Sequence, residues 1–180
     1  QDIREEDGIK YGDVLAGVIA DTEEIAREAV ELIKIDYEVL EPVTDPHKAM
    51  LAEAPKVHPN KENLLDVCKV LRGNPDKEIA KSKYVAKGVF QTQRIEHAFL
   101  EKEAAVAVKN GLGIKLYSQS QGVYEDRRQI ALMLGVAEEE VKVELLPNGG
   151  GFGGKEDLSV QGHVALYAYL MDKPVKLTLT

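Results

Sequence analysis

The spacing of apolar and polar residues changes period several times along the chain. Val14-Leu15-Ala16-Gly17-Val18-Ile19-Ala20 is a continuous apolar run, the pattern of a buried strand. Behind it Ile25, Ala26, Ala29, Val30 and Ile33 recur at helical spacing. Thr22 is placed to cap that helix, and Glu23 and Glu24 suit the positive end of its dipole. Ile35 to Val39 alternates, with Ile35, Tyr37 and Val39 on one side, and predicts a second strand. This β-α-β unit closes at Glu41-Pro42. Its charges read as a solvated face, without chemistry. From Thr44 to Asn63 the period is lost around Pro46, Pro55 and Pro59, which marks a boundary. Asp45-Pro46 opens a short helix there, and His47 and His58 read as surface residues. Leu64 to Leu71 predicts a strand, and Asn74-Pro75 opens a helix through Ile79-Ala80.

The second half is patterned more sharply. Lys83 to Gln93 alternates as a strand. Ala104 to Val108 and Ile114 to Ser118 pair as a hairpin around Asn110-Gly111, a strong turn signal. Tyr117-Ser118-Gln119-Ser120-Gln121-Gly122 then ends a strand in small amide and hydroxyl side chains. A helix carrying Ile130, Leu132, Met133 and Leu134 follows and stops at Gly135. Val141 to Leu146 alternates as a strand, Leu158 to Met171 reads as a helix, and Val175 to Leu179 as a strand. Two successive strand-loop-helix units put both loops at strand C-termini, which suggests one shared cleft.

The loop of the second unit is Gly149-Gly150-Gly151-Phe152-Gly153-Gly154-Lys155-Glu156-Asp157, holding five of the fifteen glycines. Glycines let bare backbone N–H groups approach an anion closely, and Phe152 can wedge against a ring or the core. Gly149, Gly151 and Gly154 satisfy G-x-G-x-x-G, but the acid that should hold a ribose, Asp172, precedes Lys173-Pro174 and the next strand instead of ending it. Gly149 to Lys155 satisfies G-x-x-x-x-G-K, yet Glu156 stands where a magnesium-holding hydroxyl belongs. Both nucleotide readings are therefore disfavoured, and a ligand-free tight turn is the plain alternative. Glu96, His97, Glu101 and Glu103 lack the His pair spacing of helical zinc sites and read instead as a turn whose polar groups lock two domains together. No residue is assigned as a metal ligand.

Composition narrows the classes. A net charge of −8 argues against a nucleic-acid surface. The single Cys68 excludes an internal disulfide framework or a cysteine-built cluster, and reads as a buried small hydrophobe. It fits a reducing compartment, so a cytoplasmic location is expected. No apolar run approaches ~18 residues, so no membrane span is expected. The chain begins at Gln1 without Met and ends in a strand pattern, which points to a segment of a longer polypeptide.

Glu96-His97-Ala98-Phe99-Leu100-Glu101, Ser118-Gln119-Ser120-Gln121, Met133-Leu134-Gly135-Val136 and Gly149 to Glu156 occur in an order and spacing that resembles the molybdenum-binding subunit of the xanthine dehydrogenase and aldehyde oxidase family. Ala20-Asp21-Thr22 and Tyr37-Glu38 are similar to the end of the small α/β domain that precedes the molybdenum domains. The ending Gly154-Lys155-Glu156-Asp157 looks more like purine hydroxylases, and is especially similar to the prokaryotic selenium-dependent xanthine dehydrogenases.

The resemblance implies an α+β chain. Residues 1–42 would end a small α/β domain, 43–82 would connect, and 83–180 would begin a molybdopterin-binding domain. Gln121 matches the glutamine that hydrogen-bonds an oxo ligand of molybdenum. Gly150, Gly151, Phe152, Gly153 and Gly154 match the loop around the molybdenum–molybdopterin cofactor. Glu156 matches the glutamate that grips a purine, with Gln121 and Glu156 the catalytic pair. The implied activity is oxidative hydroxylation of xanthine or hypoxanthine, with electrons leaving through iron–sulfur clusters and FAD on partner chains or domains; homo-oligomerisation is compatible with it. An aldehyde or another N-heterocycle is the alternative substrate. A non-catalytic anion- or partner-binding module is the competing class, and a nucleotide-binding enzyme the third. The family's general base lies in a segment without counterpart here, so the chain alone is expected to be inactive and to hold no cofactor.

Overall fold

The structure, a computed structural model, describes residues 14–179. The chain divides into two compact units between Phe90 and Gln91.

The first unit is helical where capping chemistry is local. Helix α1 (Glu23–Val30) starts as expected at Thr22, whose hydroxyl accepts from the Ile25 N–H at 3.3 Å. Helix α2 (Pro46–Ala49) starts at Asp45, whose carboxylate accepts from the N–H groups of His47 and Lys48. Helix α3 (Pro75–Lys81) starts at Asn74. In each case one short polar side chain answers the orphan donors of a first turn. Between α2 and α3, Asn63 ties the proline-rich connection: it accepts from the Val57 N–H and donates to the carbonyls of Ala49 and Pro55, all within 3.0 Å.

The strands expected over Val14–Ala20, Ile35–Val39, Leu64–Leu71 and Lys83–Gln93 do not form; among the described residues these stretches have no ladder partner. Alternation creates an apolar face, but a strand needs a neighbour for its N–H and C=O groups. Val39, Leu65 and Val89 are correspondingly exposed. Cys68, expected inside, is exposed as well.

The second unit is mixed α/β, built on one sheet. Strands β1 (Ala104–Asn110) and β2 (Gly113–Ser118) make the expected antiparallel hairpin, with Gly111 at φ 62° in its turn. Helix α4 (Val123–Leu134) stops at Gly135 in the left-handed region. A 3-10 turn (Glu138–Glu140) leads to β3 (Val141–Leu145), which lies parallel to β2. Helix α5 (Gln161–Met171) begins three residues later than the apolar pattern suggests, and β4 (Val175–Thr178) closes on β1 antiparallel, giving the order β3-β2-β1-β4. Ala105 and Ala107 of β1, and Ile114 and Leu116 of β2, point alternately into a core completed by Ile130 and Ala131 of α4 and Val164, Ala165 and Ala168 of α5. The small residues of β1 and α5 let helix and sheet approach closely. Among the described residues no helix is long and apolar enough to cross a membrane.

Candidate functional site

Both unusual loops spring from the C-terminal edge of neighbouring strands. Because β2 and β3 are parallel and adjacent, Ser118-Gln119-Ser120-Gln121 and the glycine loop leave the sheet side by side. The ladder continues past the strand ends through the Leu146 N–H to the Ser118 carbonyl at 2.8 Å. Asn148 then bridges the loops: its amide donates to the Gln119 carbonyl at 2.6 Å and its oxygen accepts from the Gly150 N–H at 2.7 Å. Gln121 N–H donates to the Lys155 carbonyl at 2.8 Å. The expected shared cleft is therefore a hydrogen-bonded pair of loops.

Gln121 reaches into the glycine loop. Its carboxamide oxygen accepts from the N–H groups of Gly153, at 3.0 Å, and Lys155, at 3.2 Å. Two backbone donors can meet only the oxygen, so the amide orientation is set and its NH₂ is left to donate elsewhere. Gly151 must be glycine for this to happen, since a Cβ there would lie 2.7 Å from the Gln121 carboxamide carbon. Gly150, Phe152 and Gly153 take φ of 104°, 54° and 89°, curling the backbone. Among the described residues the N–H groups of Gly151 and Phe152 have no acceptor. Left-handed curls with unpaired N–H groups form the concavities that receive anions.

Glu156 follows the buried Lys155 directly, so the loop brings it next to the residue whose N–H Gln121 holds; Glu156 itself is exposed. Phe152 does not wedge against the core: it is 73% exposed. Gly154 packs on the His97 and Phe99 side chains, within 2.9 Å of an added Cβ. The Glu96–Glu103 turn thus acts inside this unit, bracing the glycine loop. No cluster of three metal-ligating side chains occurs among the described residues.

Sequence reasoning missed several residues that shape the site. The contacts of Glu101 and the buried Lys155, and the bond from Asn148 to Gln119, carry no local spacing signal because they join residues 29 to 54 apart; only the bond from the Gly150 N–H to Asn148 is local. Asp126 likewise has no sequence signal that marks it as internal. It lies one turn into α4, fully buried, and neither carboxylate oxygen has a hydrogen-bond partner. Burial pushes its carboxyl above the ordinary aspartate range, the nearby Ser120 hydroxyl pulls it back by less, and Glu125 adds to the rise. Ser120 donates instead to the Lys155 carbonyl at 3.4 Å.

This has a measurable consequence for stability. A folded-state pKa raised above the unfolded one stabilises below the unfolded value, ~3.9, and that contribution is lost as pH rises through the folded value. Above it the fold carries an unpaired buried carboxylate. Asp126→Asn should therefore raise stability by about 1–3 kcal/mol at pH 8, with the gain shrinking towards pH 4. Urea midpoints of both proteins across that range check it; a gain independent of pH would contradict the charge-burial account.

A family of molybdopterin cofactor-binding domains matches residues 57–180. A probable xanthine dehydrogenase subunit from Bacillus subtilis is 36% identical over 177 residues, covering 97% of this chain and 24% of that protein. The nicotinate dehydrogenase large molybdopterin subunit of Eubacterium barkeri is 34% identical over 169 residues, covering 93% and 40%. Among solved structures, the aldehyde oxidoreductase of Desulfovibrio gigas superimposes with a TM-score of 0.82 at 27% identity, over 89% of this chain and 18% of that one. The chain spans less than half the length of each of these proteins.

Proposed function

Since the chain belongs to the molybdopterin cofactor-binding domain family of xanthine dehydrogenase and aldehyde oxidase type, we propose that it contributes one wall of the cofactor and substrate site of a molybdenum hydroxylase acting on a purine. The observation that carries the proposal is the Gln121 amide, whose oxygen is fixed by Gly153 and Lys155 while its NH₂ remains available. The donor set fits the group: a neutral amide and the free N–H groups of Gly151 and Phe152 suit an anionic, oxo-bearing cofactor, and none competes with it by adding negative charge. When bound, the cofactor supplies the redox chemistry, and the protein supplies binding and orientation.

Each residue then has a role. Gln121 would hold the cofactor through its NH₂, and the loop from Gly150 to Gly154 would offer it backbone N–H groups. Glu156, at the loop's exposed end, grips the heterocycle and balances charge that develops on its ring. By this reading residues 83–180 would begin the cofactor-binding domain, after a connection over 43–82 and a preceding segment over 1–42, in which α1 forms and the two expected strands do not. Iron–sulfur and flavin partners would take up the electrons that the cofactor's redox chemistry releases. The similarity to a nicotinate dehydrogenase at nearly the same identity as to the xanthine dehydrogenase relative favours one second reading, a pyridine carboxylate as substrate.

The test is metal content and substrate profile of the holoenzyme. Stoichiometric molybdenum with xanthine or hypoxanthine turnover at least tenfold above that with nicotinate or aldehydes is the expected outcome. The reverse ranking overturns the purine assignment, and a preparation without molybdenum overturns the proposal.

A further inference from the structure

The site contains a buried cation that the roles above do not use. Lys155 is 1% exposed, although it lies in a loop among exposed residues. Its ammonium donates to the Glu101 backbone carbonyl at 2.9 Å and to the Glu101 carboxylate at 3.4 Å, and it lies 4.5 Å from the Phe99 ring centroid. The same carboxylate oxygen accepts from the Gly149 N–H at 2.6 Å. One side chain thus holds both ends of the glycine loop.

We propose that Glu101 and Lys155 are positioning residues, a clamp that holds the loop from Gly149 to Lys155 in the shape that receives the cofactor. This rests on the cofactor reading above. The two partners are unequally hydrated: the Glu101 side chain is 37% exposed, the Lys155 side chain 1%. Such a pair is a poor source of stability, because desolvating the ammonium offsets most of the attraction, and an apolar side chain of similar volume could fill the same space. What an apolar side chain cannot do is fix two points six residues apart at one oxygen. Between those points the loop has left-handed residues at Gly150, Phe152 and Gly153 and needs external constraint to stay in one conformation. Gln121 supplies the middle constraint from one side, and Glu101 supplies the outer two from the other.

The experiment compares wild-type holoenzyme with Glu101→Gln, Lys155→Met and the double variant Glu101→Leu/Lys155→Met. Readouts are hydrogen exchange of the loop amides, the Mo(V) paramagnetic resonance signal, and kcat against KM. The double variant strands no buried charge and should unfold close to the wild-type midpoint. Its loop amides should nevertheless exchange at least tenfold faster, its resonance signal should become heterogeneous, and kcat should fall while KM holds. Glu101→Gln keeps an acceptor for Gly149 and should retain most of the protection. Lys155→Met should loosen the Gly153 to Lys155 end while Gly149 stays protected, which gives a readout if the double variant does not fold. Wild-type exchange and signal in the double variant, or in Lys155→Met if that alone folds, would overturn the clamp. Wild-type enzyme lacking molybdenum would instead remove the cofactor reading, and exchange would still decide the clamp.

Discussion

Glu156→Ala in the holoenzyme is expected to keep its molybdenum and lose purine turnover by about 10²–10⁴-fold, the usual range for removing a group that moves or balances charge in the transition state. Glu156 follows Lys155, whose N–H is bound to Gln121, so the two side chains assigned to cofactor and substrate are joined through one backbone unit. The Glu156 carboxylate makes no hydrogen bond or ion pair among the described residues. Its removal therefore leaves no stranded partner and should hardly change folding. A neutral Glu156→Gln should recover part of the purine rate if hydrogen bonding dominates and little if charge does. Steady-state rates with xanthine and hypoxanthine, beside metal analysis, decide this. Undiminished purine oxidation in Glu156→Ala would remove Glu156 from the site.

Gly151→Ala is the second large effect. Its φ is not left-handed, so the backbone itself can accept alanine. The obstacle is the Gln121 carboxamide, which the new methyl would displace. Displacement breaks the bonds from the exposed Gly153 N–H and the half-buried Lys155 N–H, at about 0.5–1.5 kcal/mol each, and turns the NH₂ away from its target. A misplacement of ~1 Å can cost ~10²-fold in rate, so kcat should fall by at least that much. Adding Gln121→Ala removes the clash. The double variant should regain stability and remain slow. Recovery of rate together with stability would mean that the amide does not orient the cofactor, and the role of Gln121 would fall.

The non-catalytic alternative and the nucleotide-binding alternative lose ground for different reasons. The family match and the relatives favour an oxidoreductase over an anion-binding module. Against a nucleotide site stands the lysine that completes the G-x-x-x-x-G-K spacing. In the structure its ammonium is turned inward onto Glu101 and Phe99, away from any phosphate-collecting position.

Features set by neighbours in the chain were legible in the residues alone. Asn110-Gly111 specifies its hairpin, Thr22, Asp45 and Asn74 specify helix starts, and Gly135 specifies a helix stop, because each interaction closes within about four residues. The two polar loops at strand ends were legible from their composition, and the family resemblance from the order and spacing of four short motifs between Glu96 and Glu156. Tertiary structure alone decided the rest. Alternation in Val14–Ala20 or Lys83–Gln93 could not say whether a pairing strand would be present, since ladder bonds are made by another segment. Nor could any spacing show that Glu101 meets Gly149 and Lys155, 48 and 54 residues away, or that Asp126 is sealed without a partner. Parallel pairing of β2 and β3 brings those loops together, and burial then turns a lysine and an aspartate, surface residues by composition, into internal charges.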